Sequence, residues 1–136
     1  LVQIKKGKDY ITVEGECVKN EDLTFPPKKA YSYAYCSDTA YSEKILPYIK
    51  EVDCLYHEAT FLESEVLRAK ETGHSTALQA AKIASLANVG KLILGHYSAR
   101  YKTHEAHLNE AKQVFKHTIL SYDGLKINIK DLENIL

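Results

Sequence analysis

The hydrophobic positions of the chain fall into short runs that alternate between the period of a strand and the period of a helix. The strand-like runs extend from Ala30 to Cys36, from Val52 to His57 and from Lys91 to Gly95, and the first has tyrosine at every second position. The runs between them predict helices. Alternation of this kind favours a layered α/β fold. The helices are predicted at Ser42 to Lys50, at Phe61 to Glu71, from near Ser75 to a stop at Gly90, and at Thr103 to His117.

The helix that begins near Ser75 has the most specific local signals. Thr76 and Gln79 have the spacing of a capping box, in which each side chain bonds the other residue's backbone N–H. Apolar residues then recur with helical spacing on one stripe, and most of them are alanines, which suit close packing on a sheet. The stripe consists of Ala80, Ile83, Ala84 and Ala87.

The two ends of the chain predict less regular structure. Tyr10 to Val13 is a short strand of a hairpin, and residues 20–29, which include two prolines, are expected to form a loop. Ile119 to Ser121 and Leu125 to Ile129 flank a Tyr-Asp-Gly turn, so a second hairpin is predicted there. Asp131 to Leu136 is expected to form a last helical turn.

Composition narrows the possible classes of protein. The 136 residues include 18 basic and 18 acidic ones, a balance that argues against a non-specific nucleic-acid binder. No apolar run approaches the roughly 18 residues of a membrane helix, so no membrane association is expected. The three cysteines form no Cys-x-x-Cys pair, which fits a reducing, cytoplasmic setting. The sequence has no methionine, so it is expected to be a piece of a longer protein.

Polar residues follow three of the predicted strands. Asp38, the pair His57-Glu58 and His96 each lie where a strand ends, and ligands of α/β folds collect at such positions. Asp38 alone could be a turn former or a carboxylate metal ligand. His96 could be a partly buried structural residue or a zinc ligand. The recurrence at three strand ends is the first functional signal.

Further candidates surround these strand ends. His74 precedes a predicted helix, and a hydrogen bond from Glu58 would orient its ring for general acid catalysis. Arg100 could bind a phosphate or form a surface ion pair. His104 and His107 are three residues apart on a predicted helix and could share a metal ion, although a solvated helix face explains them as well.

Four short motifs lie in register along the chain. They are Ser37-Asp38-Thr39, His57-Glu58-Ala59-Thr60-Phe61, Gly73-His74-Ser75-Thr76 and the segment from Leu92 to Tyr101. With these motifs the sequence resembles the C-terminal part of ribonuclease Z, the metal-dependent endonuclease that trims the 3′ end of precursor tRNA. The resemblance implies the C-terminal half of the metallo-β-lactamase αββα sandwich. Gly95 and Tyr97 depart from the family pattern, in which Thr and Phe are common at these positions.

The resemblance also implies roles for individual residues. Asp38 and His96 would bind metal, Asp38 as a bridge between two zinc ions. Glu58 and His74 would handle the proton, with His74 protonating the departing 3′ oxygen. The residues near the RNA would be Arg100, Ser75 and Thr76. The whole enzyme would act on precursor tRNA in the cytoplasm as a homodimer.

An absent motif limits what this chain is expected to do. The family's His-x-His-x-Asp-His metal motif is not found in residues 1–136. The chain is therefore predicted to be one partial domain that lacks the N-terminal half of the fold and is inactive alone. Two alternatives stay open: another metallo-β-lactamase-fold phosphodiesterase, and a non-catalytic interaction half-domain.

Overall fold

The computed structural model describes residues 2–26, 28 and 30–134, with side chains up to residue 131, and the chain divides into two compact units after Ala30. In the first unit two short strands pair antiparallel, which confirms the predicted hairpin. The loop predicted over residues 20–29 is wrong at its start, where a short helix forms. The elements are α1 (Val2–Lys5), β1 (Tyr10–Ile11), β2 (Cys17–Val18) and α2 (Asn20–Leu23).

The second unit contains a four-stranded, fully parallel sheet in the order β3-β4-β5-β6. The layered α/β prediction is confirmed. The strands are β3 (Tyr33–Cys36), β4 (Cys54–Glu58), β5 (Lys91–Gly95) and β6 (Thr118–Leu120). The α-helices are α3 (Leu46–Ile49), α4 (Val66–Thr72), α5 (Ala77–Leu86) and α6 (Glu105–Lys112), and 3₁₀ turns occupy Glu43–Ile45, Glu63–Glu65 and Ile129–Asn134.

One face of this sheet packs on helices. Leu55 lies beside Leu92, and Leu94 lies beside Leu120, so their side chains share a face. This face forms the main core with the alanine stripe of α5 and with Ala111 of α6. The predicted capping box is present at the start of α5: Thr76 accepts from the Gln79 N–H, and Gln79 accepts from the Thr76 N–H.

The opposite face of the sheet is rich in tyrosine and is only partly covered. Tyr35 stacks on Tyr56 with ring centroids 4.7 Å apart, which confirms that the tyrosines of β3 share a face. Ile127 and Ile129 pack against Cys54 and Ile93 of this face. A cavity of about 410 Å³ opens here, lined mainly by tyrosine and isoleucine side chains. We call this surface the tyrosine face.

The C-terminal region differs from its prediction. Residues Thr118–Leu120 do form a strand, but it pairs in parallel with β5, and residues 125–128 form no strand, so the predicted hairpin is wrong. The helix predicted from Thr103 to His117 is shorter, at Glu105–Lys112, and Val114 is exposed rather than inward. Helical turns do cover Ile129–Asn134, while Ile135 and Leu136 lie outside the described residues.

The histidines of α6 also differ from the expectation of a solvated face. His107 is fully buried, and its ring lies 4.6 Å from the ring of Tyr101 in an edge-on arrangement. His104, just before α6, stacks on Tyr97 at 3.8 Å between centroids. Neither ring nitrogen of His107 has a hydrogen-bond partner among the described residues. These histidines belong to an aromatic cluster in the fold.

Within the described ranges, the structure contains no helix with the length and apolar character needed to cross a membrane.

The tyrosine face is expected to cause self-association of the isolated chain, because covering exposed aromatic surface is energetically favourable. Tyr35→Lys should weaken this association by about tenfold, since it places a charge at the centre of the contact. Sedimentation velocity over a range of concentrations measures it. Tyr48→Lys, at an exposed tyrosine on α3 outside the tyrosine face, is the matched control and should change nothing. A chain that stays monomeric at high concentration would contradict the expectation.

Burial of His107 should make the fold sensitive to acid. Burial, followed by nearby His104, lowers the pKa of His107 to about 4 from its ordinary 6.5. The unfolded chain therefore takes up this proton first as the pH falls, so the free energy of unfolding decreases between pH 6.5 and pH 4. The expected loss is about 3 kcal/mol, since each pKa unit is worth about 1.4 kcal/mol.

Urea unfolding at several pH values measures this loss. His107→Phe should remove most of it, because phenylalanine fills the same aromatic cluster without a titrating nitrogen. His117→Phe, at an exposed histidine, serves as the control. The assignment to His107 is wrong if both variants keep the full acid sensitivity.

Candidate active site

The parallel sheet brings the predicted strand-end residues to one edge. The strands β3, β4 and β5 are adjacent and run in the same direction, so their carboxyl ends lie side by side. Asp38 follows β3, Glu58 ends β4, and His96 follows β5. His74 reaches the same edge from the connection between α4 and α5, because its N–H is bonded to the Ala69 carbonyl at the end of α4.

The side chain at the centre of this edge is Glu58, which is fully buried. Its Oε2 accepts the Ser75 N–H at 2.9 Å and the Thr60 hydroxyl at 2.7 Å. Its Oε1 accepts the Thr39 N–H and lies 3.1 Å from His74 Nδ1. Both oxygens are therefore fully engaged, as a buried carboxylate requires.

These contacts determine the charge of Glu58. Burial alone would raise its pKa, but the hydrogen bonds from Ser75, Thr60, His74 and Thr39 outweigh burial and hold the pKa below its ordinary value. Glu58 is thus an ionised acceptor at neutral pH, and His74 Nδ1 must carry the hydrogen that lies between the two side chains.

His74 is oriented by Glu58 and also approaches the other candidate residues. Its Nδ1 lies 3.6 Å from Asp38 Oδ1, and its ring centroid lies 5.3 Å from that of His96. The side chain is about 20% exposed. Because Nδ1 faces Glu58, Nε2 is the ring nitrogen that can exchange a proton with another molecule.

His96 is held by Thr60. The Thr60 hydroxyl oxygen lies 2.9 Å from His96 Nδ1 and 2.9 Å from the His96 carbonyl oxygen. The imidazole is nevertheless exposed, in contrast to Glu58. Thr60 therefore holds Nδ1 of His96, and Nε2 is the other ring nitrogen that could bind a metal ion.

Asp38 is the most exposed member of the site, with 77% of its side chain accessible. Asp38 and His96 both have left-handed backbone conformations, with φ of 52° and 59°. Residues other than glycine adopt this conformation at some cost, and such residues cluster at functional sites. The left-handed backbone turns the chain sharply at the end of each strand.

The donor atoms fit part of a zinc site. Donor atoms of Glu58, His74 and His96 all lie within 4.8 Å of one another. Glu58 is already saturated by hydrogen bonds, so it fits a positioning role better than that of a ligand. Asp38 and His96 offer an exposed carboxylate and an exposed imidazole, both of which zinc accepts. Two such ligands are fewer than the three that a catalytic zinc ion takes from protein.

Arg100 lies in the connection after His96 and is tied to two neighbours. Its guanidinium donates to Glu65 at 3.0 Å and lies 5.0 Å from the ring centroid of Phe61. Phe61 in turn approaches His74 edge-on, with 6.1 Å between ring centroids. The ion pair considered in the sequence analysis is therefore present, and the predicted contact of Arg100 with RNA stays a prediction.

Ser75 and Thr76 are fully buried, and their polar groups bond within the protein. The Ser75 hydroxyl donates to the Thr39 carbonyl at 2.7 Å. The Thr76 hydroxyl caps α5 and donates to Glu63 at 2.6 Å. Their prediction as residues near the RNA stays untested, and what the structure shows is that they hold the His74 connection in place.

Sequence reasoning missed the importance of Thr60 and grouped His57 with the site too readily. Thr60 contacts Glu58 and His96, and its sequence signal is its place in the motif His57-Glu58-Ala59-Thr60-Phe61, to which no role for Thr60 was attached. His57 lies on the helix-covered face, level with Cys36 and Leu94, because neighbouring residues of a strand alternate between faces. Burial lowers the pKa of His57, so it is neutral there.

Comparison with known proteins yields close sequence relatives, although no family model matches the chain. The chain is 50% identical over 129 residues to the ribonuclease Z of Parabacteroides distasonis, which is 95% of this chain and 42% of that protein. It is 49% identical over 131 residues to the ribonuclease Z of Bacteroides thetaiotaomicron, with 96% and 42% covered. The chain thus spans about two fifths of the length of these relatives.

Solved structures give the same picture of the fold. The metallo-β-lactamase fold protein YhfI from Bacillus subtilis matches with a TM-score of 0.65 and 27% identity, over 71% of this chain and 39% of that one. The short form of human tRNase Z matches with a TM-score of 0.52 and 32% identity, over 69% and 30%. Together, the relatives and the structures show that this chain is homologous to the C-terminal part of ribonuclease Z and carries part of the metallo-β-lactamase fold.

Proposed function

We propose that this chain forms the C-terminal part of a metal-dependent endoribonuclease that removes 3′ trailers from precursor tRNA. The carrying observation is the Glu58–His74 pair, 3.1 Å apart, beside His96 and Asp38 at one sheet edge. The 50% identity to a protein named ribonuclease Z supports the choice of substrate. On this proposal the chain cannot complete the active site alone.

Zinc is the proposed metal, as two ions in the complete enzyme. Asp38 and His96 would be the ligands from this chain, because they are the exposed oxygen and nitrogen donors of the site. When bound, zinc would supply Lewis acidity and an activated water. The remaining ligands would come from the part of the protein that corresponds to the rest of the relatives' length.

Proton transfer is the chemistry that this chain's own residues support best. Glu58 accepts the Nδ1 hydrogen of His74 and so fixes the ring, while its negative charge stabilises the imidazolium. His74 would then donate a proton from Nε2 to the 3′ oxygen that leaves the cleaved phosphodiester. Positioned acid catalysis of this kind contributes about 100- to 10,000-fold in rate.

Substrate binding and assembly follow from the same proposal. Arg100 would contact a phosphate near the scissile bond after exchanging its exposed ion pair with Glu65, which costs little. Ser75 and Thr76 would shape the backbone near the RNA 3′ end. The complete enzyme would act in the cytoplasm and as a homodimer.

A second candidate is another metallo-β-lactamase-fold phosphodiesterase with a small substrate. It is favoured by the TM-score of 0.65 to YhfI, which exceeds the 0.52 to human tRNase Z. The two candidates differ in substrate and share the proposed roles of Asp38, His96 and His74.

A chimera tests the proposal and separates the two candidates. This chain would replace the matching segment of the Parabacteroides distasonis ribonuclease Z, to which it is 50% identical. The chimera should cleave precursor tRNA at the 3′ trailer when zinc is supplied, and the 136-residue chain alone should not. Gel analysis of the cleavage products and metal analysis of both proteins provide the measurements.

The contrary outcomes are distinct. A folded chimera that hydrolyses bis(p-nitrophenyl) phosphate but not precursor tRNA would favour the second candidate. Stoichiometric zinc together with nuclease activity in the isolated chain would contradict the claim that its site is incomplete.

In the chimera, His74→Ala should lower kcat by about 100-fold or more, because the leaving oxygen loses its proton donor. The effect should be largest with an ordinary alcohol leaving group and small with p-nitrophenolate, which needs no protonation to leave. Steady-state rates on both substrates measure the difference.

His117→Ala, at an exposed histidine far along the chain, is the matched control for His74→Ala. Equal losses on both substrates would contradict the acid role of His74, since they would point to a structural effect.

A further inference from the structure

We propose that Thr60 is a positioning residue that fixes the tautomer of His96, with hydrogen on Nδ1 and the lone pair on Nε2. The inference rests on the proposed function only where it treats His96 as a metal ligand. Its physical content is the location of one hydrogen atom, which the contacts around Thr60 determine.

Thr60 is nearly buried and lies among acceptors. Its hydroxyl oxygen is 2.7 Å from Glu58 Oε2, 2.9 Å from the His96 carbonyl oxygen and 2.9 Å from His96 Nδ1. His74 Nδ1 is farther away, at 3.4 Å, and its hydrogen lies toward Glu58 Oε1 at 3.1 Å. A hydroxyl has one hydrogen to donate and can accept through its lone pairs. The question is therefore which of its neighbours receives that hydrogen.

Glu58 is the favoured recipient. The Thr60–Glu58 contact is the shortest polar contact of the Thr60 hydroxyl, and a hydrogen bond from a hydroxyl to a carboxylate is stronger than one to a neutral acceptor. If the hydrogen were given to the His96 carbonyl instead, the Thr60 oxygen would present a lone pair to the buried carboxylate at 2.7 Å. Neither Glu58 nor the carbonyl can return a hydrogen to Thr60.

His96 Nδ1 can therefore only be a donor. If Thr60 gave its hydrogen to His96 Nδ1, its oxygen would present only lone pairs to Glu58 Oε2 at 2.7 Å and to the His96 carbonyl oxygen at 2.9 Å. The Thr60 hydrogen is therefore used on one of those two acceptors, and the Thr60 oxygen offers His96 a lone pair. A favourable contact at 2.9 Å then requires hydrogen on Nδ1. The neutral ring then has its available lone pair on Nε2, the nitrogen that Thr60 does not contact, and this form can bind a metal ion through Nε2. A hydrogen bond at one ring nitrogen commonly sets the metal-binding state of the other.

The same carboxylate serves both histidines of the site. Glu58 accepts from His74 directly at 3.1 Å, and it orients the Thr60 hydroxyl that accepts from His96. Both rings thus carry hydrogen on Nδ1 and leave Nε2 for other molecules. Glu58 orients His74, the proposed proton donor, directly, and it orients His96, the proposed metal ligand, through Thr60.

Nitrogen-15 NMR of the metal-free chain near pH 8 tests the inference. His96 should show a protonated Nδ1 and a pyridine-type Nε2, assigned by loss of the signals in His96→Gln. Thr60→Val keeps the shape and removes the hydroxyl, so the ring should revert to a mixture in which Nε2 is mainly protonated. Thr60→Ser should restore the Nδ1-protonated form.

A matched control separates the hydroxyl from general packing. Thr118 is also buried and donates to the Phe115 carbonyl at 2.6 Å, far from His96 in sequence. Thr118→Val should leave the His96 tautomer unchanged. Mainly Nε2-protonated His96 in the unaltered chain would overturn the inference, and this result needs no variant to fold. An unchanged tautomer in folded Thr60→Val would overturn it equally.

The outcome is independent of the proposed activity. An inactive chimera with His96 protonated on Nδ1 would count against the nuclease and leave the role of Thr60 standing. An active chimera with His96 protonated on Nε2 would do the reverse.

Discussion

A single buried carboxylate determines the arrangement of this site. Glu58 ends β4, the second strand of the sheet. Its carboxylate oxygens accept hydrogen bonds from the backbone N–H of Thr39, after β3, and from that of Ser75, before α5. Without Glu58 the Ser75 N–H would be buried without a partner, at a cost of about 1–3 kcal/mol, and the partly buried Thr39 N–H would lose its acceptor. The connections that carry Asp38 and His74 are therefore held at the sheet edge by the residue that orients His74, the proposed proton donor.

The two faces of the sheet that holds this carboxylate are packed in different ways. On the helical side, small alanines of α5 let the helix approach closely, and the capping box fixes where α5 begins. On the tyrosine face, Gly95 lies directly under Tyr56: an added Cβ would be 2.1 Å from the Tyr56 hydroxyl. Where threonine is common in the family, this chain has Gly95, and the Tyr56 side chain occupies the space that a larger residue would need. The strand β5 thus keeps its position next to Glu58.

Local sequence patterns predicted the parts of the fold that depend on near neighbours. The run from Lys91 to Gly95 was correct at both ends because it is apolar in the middle and bounded by glycines at 90 and 95. The error at the C-terminus has a different cause: β6 pairs with β5, a strand far away in sequence, and the Tyr-Asp-Gly turn contains no information about that pairing. His107 was misjudged because its burial comes from tyrosines of another segment.

The site shows the same division between what sequence does and does not reveal. Charged and imidazole groups at strand ends stand out in a sequence, so Asp38, Glu58, His74 and His96 were all identified. A threonine does not stand out, and the role of Thr60 exists only because the strand ends bring Glu58 and His96 to the same hydroxyl.

Burial separates the residues that position other side chains from the proposed metal ligands. Glu58 and Thr60 are enclosed and use their polar atoms on protein partners, whereas Asp38 and His96 are exposed on left-handed turns. The internal hydrogen bonds of the site are therefore complete within this chain, while its proposed metal ligands are too few. A complementary segment would need to bring ligands, and it would meet histidines whose ring nitrogens are already oriented.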